Sequence, residues 1–209
     1  MIDVINNILF KSYFSILYLN LLLGIFNFKK FSANKYILFL LTILVVVAEN
    51  IGLIFSNFSI NNNFVFIVFD FVEVSLFIKF YVLNLKSTRF NLNYLLVLNL
   101  LLFFSFYLIF TNQYILDFIY TLYYTLLILL LGLYLIYEHL IFFNKNKFTL
   151  TVNILIIFFV LLTLVNKFLT YYSFNDNPSL LSSTKMFVMI YNILGFSLIF
   201  KLLLSKNEN

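Results

Sequence analysis

The chain has 209 residues, of which 64% are hydrophobic and only 10% are charged. A water-soluble domain of this size could not cover itself with so few polar residues, so the composition predicts an integral membrane protein in contact with the lipid bilayer. The formal net charge is +5, but the basic residues lie in short segments between apolar stretches. This distribution is typical of membrane orientation rather than of nucleic-acid binding, and we expect no nucleic-acid partner.

The sequence contains few residues that could bind a metal ion and none that could carry out thiol chemistry. It contains no cysteine, and His139 is its one histidine. Disulfides and thiol catalysis are therefore excluded, and a multi-histidine metal site is not expected. The sequence shows neither a nucleophile–base pair nor a metal cluster, so we expect no catalytic residues, no cofactor and no metal. Enzymatic activity is left open but is not favoured.

Seven apolar stretches run along the chain, each about long enough to cross the hydrocarbon core as a helix. We therefore predict an all-α fold in which residues 1–209 form one domain, a seven-transmembrane-helix bundle. The polar breaks between the stretches are short, so consecutive helices must run antiparallel; the last break, "FNDNPSLLSS", places Pro178 in a loop. The predicted spans are about 9–28, 36–56, 64–85, 92–110, 115–137, 150–172 and 185–204.

The basic residues predict the orientation of the bundle. Ten of them fall on one side of the predicted membrane and three on the other. Because cytoplasmic loops are enriched in Lys and Arg, this bias places the N-terminus outside and the C-terminus in the cytoplasm of a multi-pass protein. The ten are Lys29, Lys30, Lys35, Lys79, Lys86, Arg89, Lys145, Lys147, Lys201 and Lys206, and the three are Lys11, Lys167 and Lys185.

Ionisable residues inside the predicted spans form a candidate polar site. A charge near the middle of the bilayer costs about 2.5–3.5 kcal/mol, so each of these groups needs a partner. Counting about 1.5 Å per residue from the helix ends places them within about 5 Å of one another in depth, in the outer half of the membrane. The candidates are the ionisable Glu49, Asp70, Glu73 and Lys167, together with the polar Asn192 at a similar depth.

This polar layer has two interpretations. In the first it is structural, and Lys167 forms an ion pair with Glu49 or Glu73 that fixes the helix packing. In the second it is a pocket that opens outward, whose excess negative charge suits a cation, a proton or a basic ligand. Asp70, nearer the surface than Glu73, is expected to matter least. With only four glycines and no GxxxG pattern, asparagine side chains are also expected to join the helices. The asparagines in question are Asn20, Asn50, Asn99, Asn153, Asn166 and Asn192.

Two short motifs carry a resemblance to a known group. They are "AEN" (48–50), late in the second span, and "FDFVEVSLFIKFYVLNLKS" (69–87), in which the third span carries a glutamate and ends in a basic turn. With the overall layout, they resemble a loose group of small seven-helix membrane proteins of AT-rich, Bacteroidetes-type bacteria that have no assigned activity. The resemblance implies a bacterial inner (plasma) membrane location. Similar bundles serve some sensor kinases as input modules.

These patterns favour a sensor-like or small-ligand-binding bundle whose ligand is open. Retinal is not expected, because the middle of the seventh span reads "IYNILGF" and contains no lysine. One alternative is a non-catalytic subunit that assembles with a membrane-protein partner. Another is a proton- or cation-coupled carrier, which would also need a polar path on the cytoplasmic side.

Overall fold

Seven α-helices make up almost all of the described chain, which confirms the predicted all-α class. The computed structural model describes residues 2–60, 63–85, 91, 93–109, 113–141, 146–173 and 178–205, and these contain no strand. A single 3-10 turn, Phe28–Lys30, follows the first helix. The helices are α1 (Ile2–Asn27), α2 (Ala33–Asn57), α3 (Asn63–Asn84), α4 (Asn93–Ile109), α5 (Gln113–Ile141), α6 (Lys147–Ser173) and α7 (Pro178–Leu204).

Five of these helices, α1, α2, α5, α6 and α7, contain stretches long and apolar enough to cross a membrane. α4 is a shorter apolar helix, and α3 carries three ionisable residues along its length, Asp70, Glu73 and Lys79. The chain is therefore a multi-pass membrane protein by the length and composition of its helices. That α3 and α4 also cross the membrane, giving seven spans, stays a prediction.

Five of the helices, α1, α2, α5, α6 and α7, extend at one or both ends beyond the apolar stretches from which they were predicted. α7 begins at Pro178, where the sequence predicted a loop. Proline is well suited to the first position of a helix, because its φ angle is already helical and the N–H it lacks would have no partner there. α2 begins after Ser32, whose hydroxyl accepts a hydrogen bond from the Lys35 backbone N–H at 3.3 Å. Hydropathy thus located the apolar stretches but not the helix ends.

Six of the helices form a closed ring. Each helix packs against the next in the order α1, α2, α3, α5, α6, α7, and α7 packs back against α1; α2 and α7 also contact each other directly. α4 packs against α3 and α5 and lies outside the ring. The direct contact between α3 and α5 brings residues from the first and second halves of the chain to one interior.

Glycines allow close approach of neighbouring helices at particular points of the ring. A β-carbon at Gly24 of α1 would lie 2.0 Å from the ring of Phe39 of α2, and one at Gly195 of α7 would lie 2.4 Å from Phe159 of α6. Neither approach leaves room for a side chain. Close packing between helices is therefore present despite the small number of glycines.

Asparagine side chains join helices within the bundle. Asn153 of α6 accepts a hydrogen bond from the Tyr81 hydroxyl of α3 at 2.8 Å and donates to the Gly132 carbonyl of α5 at 3.0 Å. Asn20 of α1 donates to the Phe196 carbonyl of α7 at 2.8 Å. Further contacts of this kind join Asn50 to Tyr18 and Asn99 to Tyr120.

Most of the described lysines on the predicted cytoplasmic side are exposed, but Lys35 is buried. Its ammonium group donates to the Ser205 carbonyl, directly after the end of α7, and lies 5.7 Å from the centre of the Phe148 ring. A cation at this position stabilises the carbonyls at the end of α7. The structure does not describe Lys86, Arg89, Lys145 and Lys206, nor the side chain of Lys185, so the predicted orientation stays a prediction.

Candidate functional site

The ring of helices encloses a cavity of about 380 Å³. Every ring helix contributes lining residues and α4 contributes none. The cavity lies toward the end of the bundle at which the odd-numbered helices begin, because its acidic residues are near the beginning of α3 and α5 and the end of α2. Its lining includes all five residues of the predicted polar layer, Glu49, Asp70, Glu73, Lys167 and Asn192.

Lys167 of α6 forms the charged centre of the cavity. Its ammonium group donates to both carboxylate oxygens of Asp117 of α5, at 2.7 and 2.6 Å, and lies 3.3 Å from Asp70 Oδ2 of α3. The prediction that Lys167 pairs with Glu49 or Glu73 is wrong. The three residues can be compared by their distance from the same end of the bundle. Lys167 lies about 9 Å from that end of α6, Asp117 about 6 Å from that end of α5, and Glu73 about 15 Å from that end of α3. Lys167 therefore meets the acids closest to it in depth.

Asp117 was not among the predicted site residues, although its position in the sequence contained a signal for it. It lies four residues after the start of α5 at Gln113, in the same layer as the other acids. Since α5 and α6 are consecutive and antiparallel, counting from the start of α5 at Gln113, rather than from the predicted start at residue 115, places Asp117 near the level of Lys167. Tyr13 was also missed, and the sequence gives no signal that separates it from the other 14 tyrosines.

Glu49 has a partner other than the lysine. The Tyr13 hydroxyl of α1 donates to Glu49 Oε1 of α2 at 2.8 Å. Tyr13 is buried, so this hydrogen bond is shielded from bulk water on the side of α1. A hydrogen bond to a charged group contributes about 1.5–3 kcal/mol, which holds the Glu49 carboxylate in place.

Asp70 and Glu73 are the most deeply buried acids of the cavity. Only 4% of Asp70 and 8% of Glu73 is exposed. Neighbouring helices cover Asp70, and it contacts Lys167. That Asp70 matters least stays a prediction. Within the described part of the chain, no side chain donates a hydrogen bond to Glu73, which lies one helical turn deeper than Asp70.

Aromatic rings form the wall of the cavity made by α1, α6 and α7. The Tyr191 ring packs edge-on against Phe159 at 5.2 Å, Phe159 against Phe196 at 5.9 Å, and Phe196 against Tyr13 at 6.1 Å, measured between ring centres. Tyr191 is 7% exposed, and its hydroxyl has no hydrogen-bond partner among the described residues. The wall is therefore apolar with one unused polar group.

The charges lining the cavity do not balance. Four of the eight acidic residues of the chain line it, and Lys167 is the one basic residue among the lining residues that the structure describes. If every group were ionised, the lining would carry an excess of three negative charges. In the described ranges, no three histidine, aspartate or glutamate side chains are arranged to hold one metal ion.

The arrangement can hold protons or a positively charged group, because it presents carboxylates with spare acceptor capacity in a buried space. No protein family, no curated protein and no solved structure matches this chain. The function is therefore inferred from the cavity itself.

Proposed function

We propose that this chain is a sensor-like membrane protein that binds a small ligand in the cavity between its six ring helices. The observation that carries the proposal is the convergence of Glu49, Asp70, Glu73 and Asp117, from three helices, on one cavity with Lys167. With seven spans and the N-terminus outside, this cavity lies in the outer half of the membrane. A ligand from outside the cell would then reach it.

A purely structural role explains part of this arrangement but not all of it. Lys167 with Asp117, and Tyr13 with Glu49, are pairs of the kind that fix helix packing. Glu73 is almost fully buried and takes part in neither pair. Because a buried charge without a partner is costly, a protein that used these residues only for packing would be more stable with an apolar residue at position 73.

The opposite end of the bundle favours a receptor over a carrier. A layer of apolar side chains lies between the cavity and this opposite end. It contains Phe77 of α3, Ile128 of α5 and Ile156 of α6, which are buried in one hydrophobic core. Each lies at least one helical turn further from the outer end than the polar cavity residues of its own helix. They separate the cavity from the polar groups of the other end. A receptor needs ligand access from one side only. The apolar layer leaves the cavity open to a ligand from one end of the bundle, as a receptor requires.

A coupled carrier is the second candidate, and one observation favours it. Beyond the apolar layer, Asn34 of α2, Asn84 of α3 and Thr149 of α6 form a polar cluster, with Asn34 and Asn84 exchanging hydrogen bonds of 3.2 and 2.8 Å. Such groups supply the inner polar path that a carrier needs. A carrier would accumulate the ligand in proteoliposomes, whereas a receptor would bind it without uptake.

The experiment that tests ligand binding is a thermal-unfolding screen of the full chain in lipid nanodiscs. The probes are amines, amino acids, alcohols, sugars and carboxylic acids. The cavity-filling variant is Ala48→Phe, and its control is Val47→Phe, since Ala48 lines the cavity while the adjacent Val47 is 49% exposed on the outer face of α2. Asn192→Phe, which fills the cavity from α7, replaces Ala48→Phe if that variant does not fold.

We expect at least one probe to stabilise the wild type and the Val47→Phe variant but not the cavity-filled variant. The ligand adds RT ln(1 + [L]/Kd) to the free energy of unfolding, so 100 times Kd gives about 2.7 kcal/mol. If a probe still stabilises the cavity-filled variant, that probe binds outside the cavity. If no probe stabilises the wild type, the proposal fails and an assembly subunit, found by co-purification with another membrane protein, takes its place.

A further inference from the structure

We infer that the ligand of this cavity is an organic cation, an ammonium group carried on a small apolar body, bound by Glu73 against the aromatic wall formed by Tyr13, Phe159, Tyr191 and Phe196. This inference rests on the proposed function and adds the chemical class of the ligand. It combines three independent features of the cavity: an acid without a donor, a wall of rings, and an unused hydroxyl group.

Glu73 is the acid available to a ligand. Asp117 receives two hydrogen bonds from Lys167, and Glu49 receives one from Tyr13. Asp70 shares the same lysine at 3.3 Å. Glu73, with 8% exposure and no donor among the described side chains, has its full acceptor capacity unused. An ammonium group, with up to three N–H donors, fits this carboxylate.

The aromatic wall provides the second contact that a cation prefers. Glu73 lines the same cavity as the four rings of this wall. A cation within about 6 Å of a ring centre gains about 0.5–2 kcal/mol from the ring quadrupole, and more than one ring is present here. The same rings contact the apolar body of the ligand, which a bare metal ion lacks.

Tyr191 is the independent observation that points to a ligand. Tyr191 lines the cavity, and its hydroxyl is buried with no partner in the described part of the chain. Buried hydroxyls without a partner cost free energy, so the position calls for a polar group inside the cavity. The hydroxyl oxygen can accept an N–H of the ammonium group while the tyrosine ring contacts its methylene groups.

The size of the cavity limits the ligand. At about 380 Å³ it lies at the lower end of the 300–1,000 Å³ range of small-molecule pockets. Calcium, by comparison, is bound by six to eight oxygen ligands with little apolar contact. An anion is disfavoured because acids outnumber Lys167 in the lining, and this lysine is already occupied by Asp117 and Asp70.

An ammonium group reaches a membrane cavity from two sources, a free amine or the headgroup of phosphatidylethanolamine. The chemistry that recognises them is the same. Nanodiscs of phosphatidylglycerol contain no ammonium, so they separate the sources. If phosphatidylethanolamine itself stabilises the chain and competes with added amine, the lipid is the source. If amine affinity is the same in both lipids, a free amine is the source.

The test uses probes of equal size and different charge: 2-phenylethylamine, 2-phenylethanol and phenylacetate, with hexylamine, hexanol and hexanoate as the aliphatic set. Affinity is measured by equilibrium dialysis with the full chain in phosphatidylglycerol nanodiscs. We expect each amine to bind the wild type at least about tenfold more tightly than its alcohol, and phenylacetate not to bind measurably. Glu73→Gln should remove the preference for the amine and leave the affinity for the alcohol unchanged.

The charge-matched control is Glu138→Gln, which removes a buried acid near the other end of α5 and should leave the amine preference intact. If alcohols and amines bind the wild type equally, or if Glu73→Gln keeps the amine preference, the inferred ligand class is wrong while ligand binding stands. If the probes bind equally to wild type and to Ala48→Phe, or the screen yields no cavity-dependent ligand, binding in this cavity is itself refuted. Failure of the ligand class and failure of the function thus give different results.

Discussion

Lys167 of α6 and Asp117 of α5 form a two-bonded ion pair, with N–O distances of 2.7 and 2.6 Å. Both side chains are about one-fifth exposed, and both residues line the cavity. The pair therefore ties two adjacent helices at the level of the cavity and leaves Asp70 as a second, longer contact at 3.3 Å. Any change to Lys167 releases two carboxylates at once.

The first prediction concerns this pair. Lys167→Met should destabilise the chain strongly, because removing one member of a buried pair costs about 3–5 kcal/mol, and partial exposure to the cavity places the expected loss at the lower end. Adding Asp117→Asn should recover a large part of that loss by neutralising the stranded acid. Thermal unfolding of the two single variants and the double variant measures the coupling.

The control is a second double-mutant cycle in which Lys167→Met is combined with Glu49→Gln instead of Asp117→Asn. Glu49 receives its hydrogen bond from Tyr13, so Glu49→Gln should recover less of the Lys167→Met loss than Asp117→Asn does. Equal recovery by the two acids would show that Lys167 responds to the total charge of the cavity and not to Asp117 specifically. Additive effects in the Asp117 cycle would contradict the pair.

The second prediction compares two glutamates of one cavity. Tyr13→Phe removes the donor to Glu49 and should cost about 1–3 kcal/mol, since a buried acceptor is left unpaired. Glu73→Gln removes a buried charge that has no donor in the described structure and should leave stability unchanged or raise it. Both variants are compared with wild type by circular dichroism during heating. A large loss with Glu73→Gln would reveal a structural partner for this residue.

The third prediction concerns topology. The chain has no cysteine, so single-cysteine variants can be labelled without background. Phe28 precedes α2, Phe58 follows it, and Asn91 lies between α3 and α4; all three are exposed. If α2 and α3 both cross the membrane, Phe58→Cys is labelled from outside, while Phe28→Cys and Asn91→Cys react only after permeabilisation. Labelling of Phe58→Cys and Asn91→Cys from the same side would show that α3 does not cross the membrane.

The fourth prediction tests the close contact of α1 with α2. Gly24→Ala places a methyl group 2.0 Å from the Phe39 ring and should destabilise the chain by about 1–3 kcal/mol. Alanine otherwise favours a helix over glycine by about 1 kcal/mol, so a loss can only come from the contact. Combining Gly24→Ala with Phe39→Leu should restore part of the stability. An increase in melting temperature with Gly24→Ala alone would contradict the packing.

The helical class and the approximate helix positions could be predicted because they depend on local patterns. About 20 apolar residues between polar breaks suffice to indicate a membrane helix, wherever its neighbours lie. Position along each helix could be predicted in the same way, since it follows from the helical rise alone. For this reason Glu49, Asp70, Glu73, Lys167 and Asn192 could be named together, and all five line one cavity.

The partners of these residues could not be predicted, because they depend on which helices are adjacent. The position of α4 outside the ring, and the contact of α3 with α5, have no signature in a chain of uniformly apolar helices. Tyr13 illustrates the limit: its contact with Glu49 follows from the rotation of α1 about its own axis. The contact of Asp70 with Lys167 of α6 depends in the same way on which helices are adjacent.

Accessibility of the cavity to a small cation can be measured with Asn192→Cys, which introduces the chain's one thiol into the cavity lining. The reagents are methanethiosulfonates of similar size, the cationic ethylammonium and the anionic ethylsulfonate. Leu194→Cys, two residues along α7 and 57% exposed, is the control. We predict that the cationic reagent modifies Asn192→Cys many times faster than the anionic one, that 2-phenylethylamine slows this reaction, and that Leu194→Cys shows neither effect. Equal rates for the two reagents at Asn192→Cys, with no protection by the amine, would contradict a cation-binding cavity between the six helices.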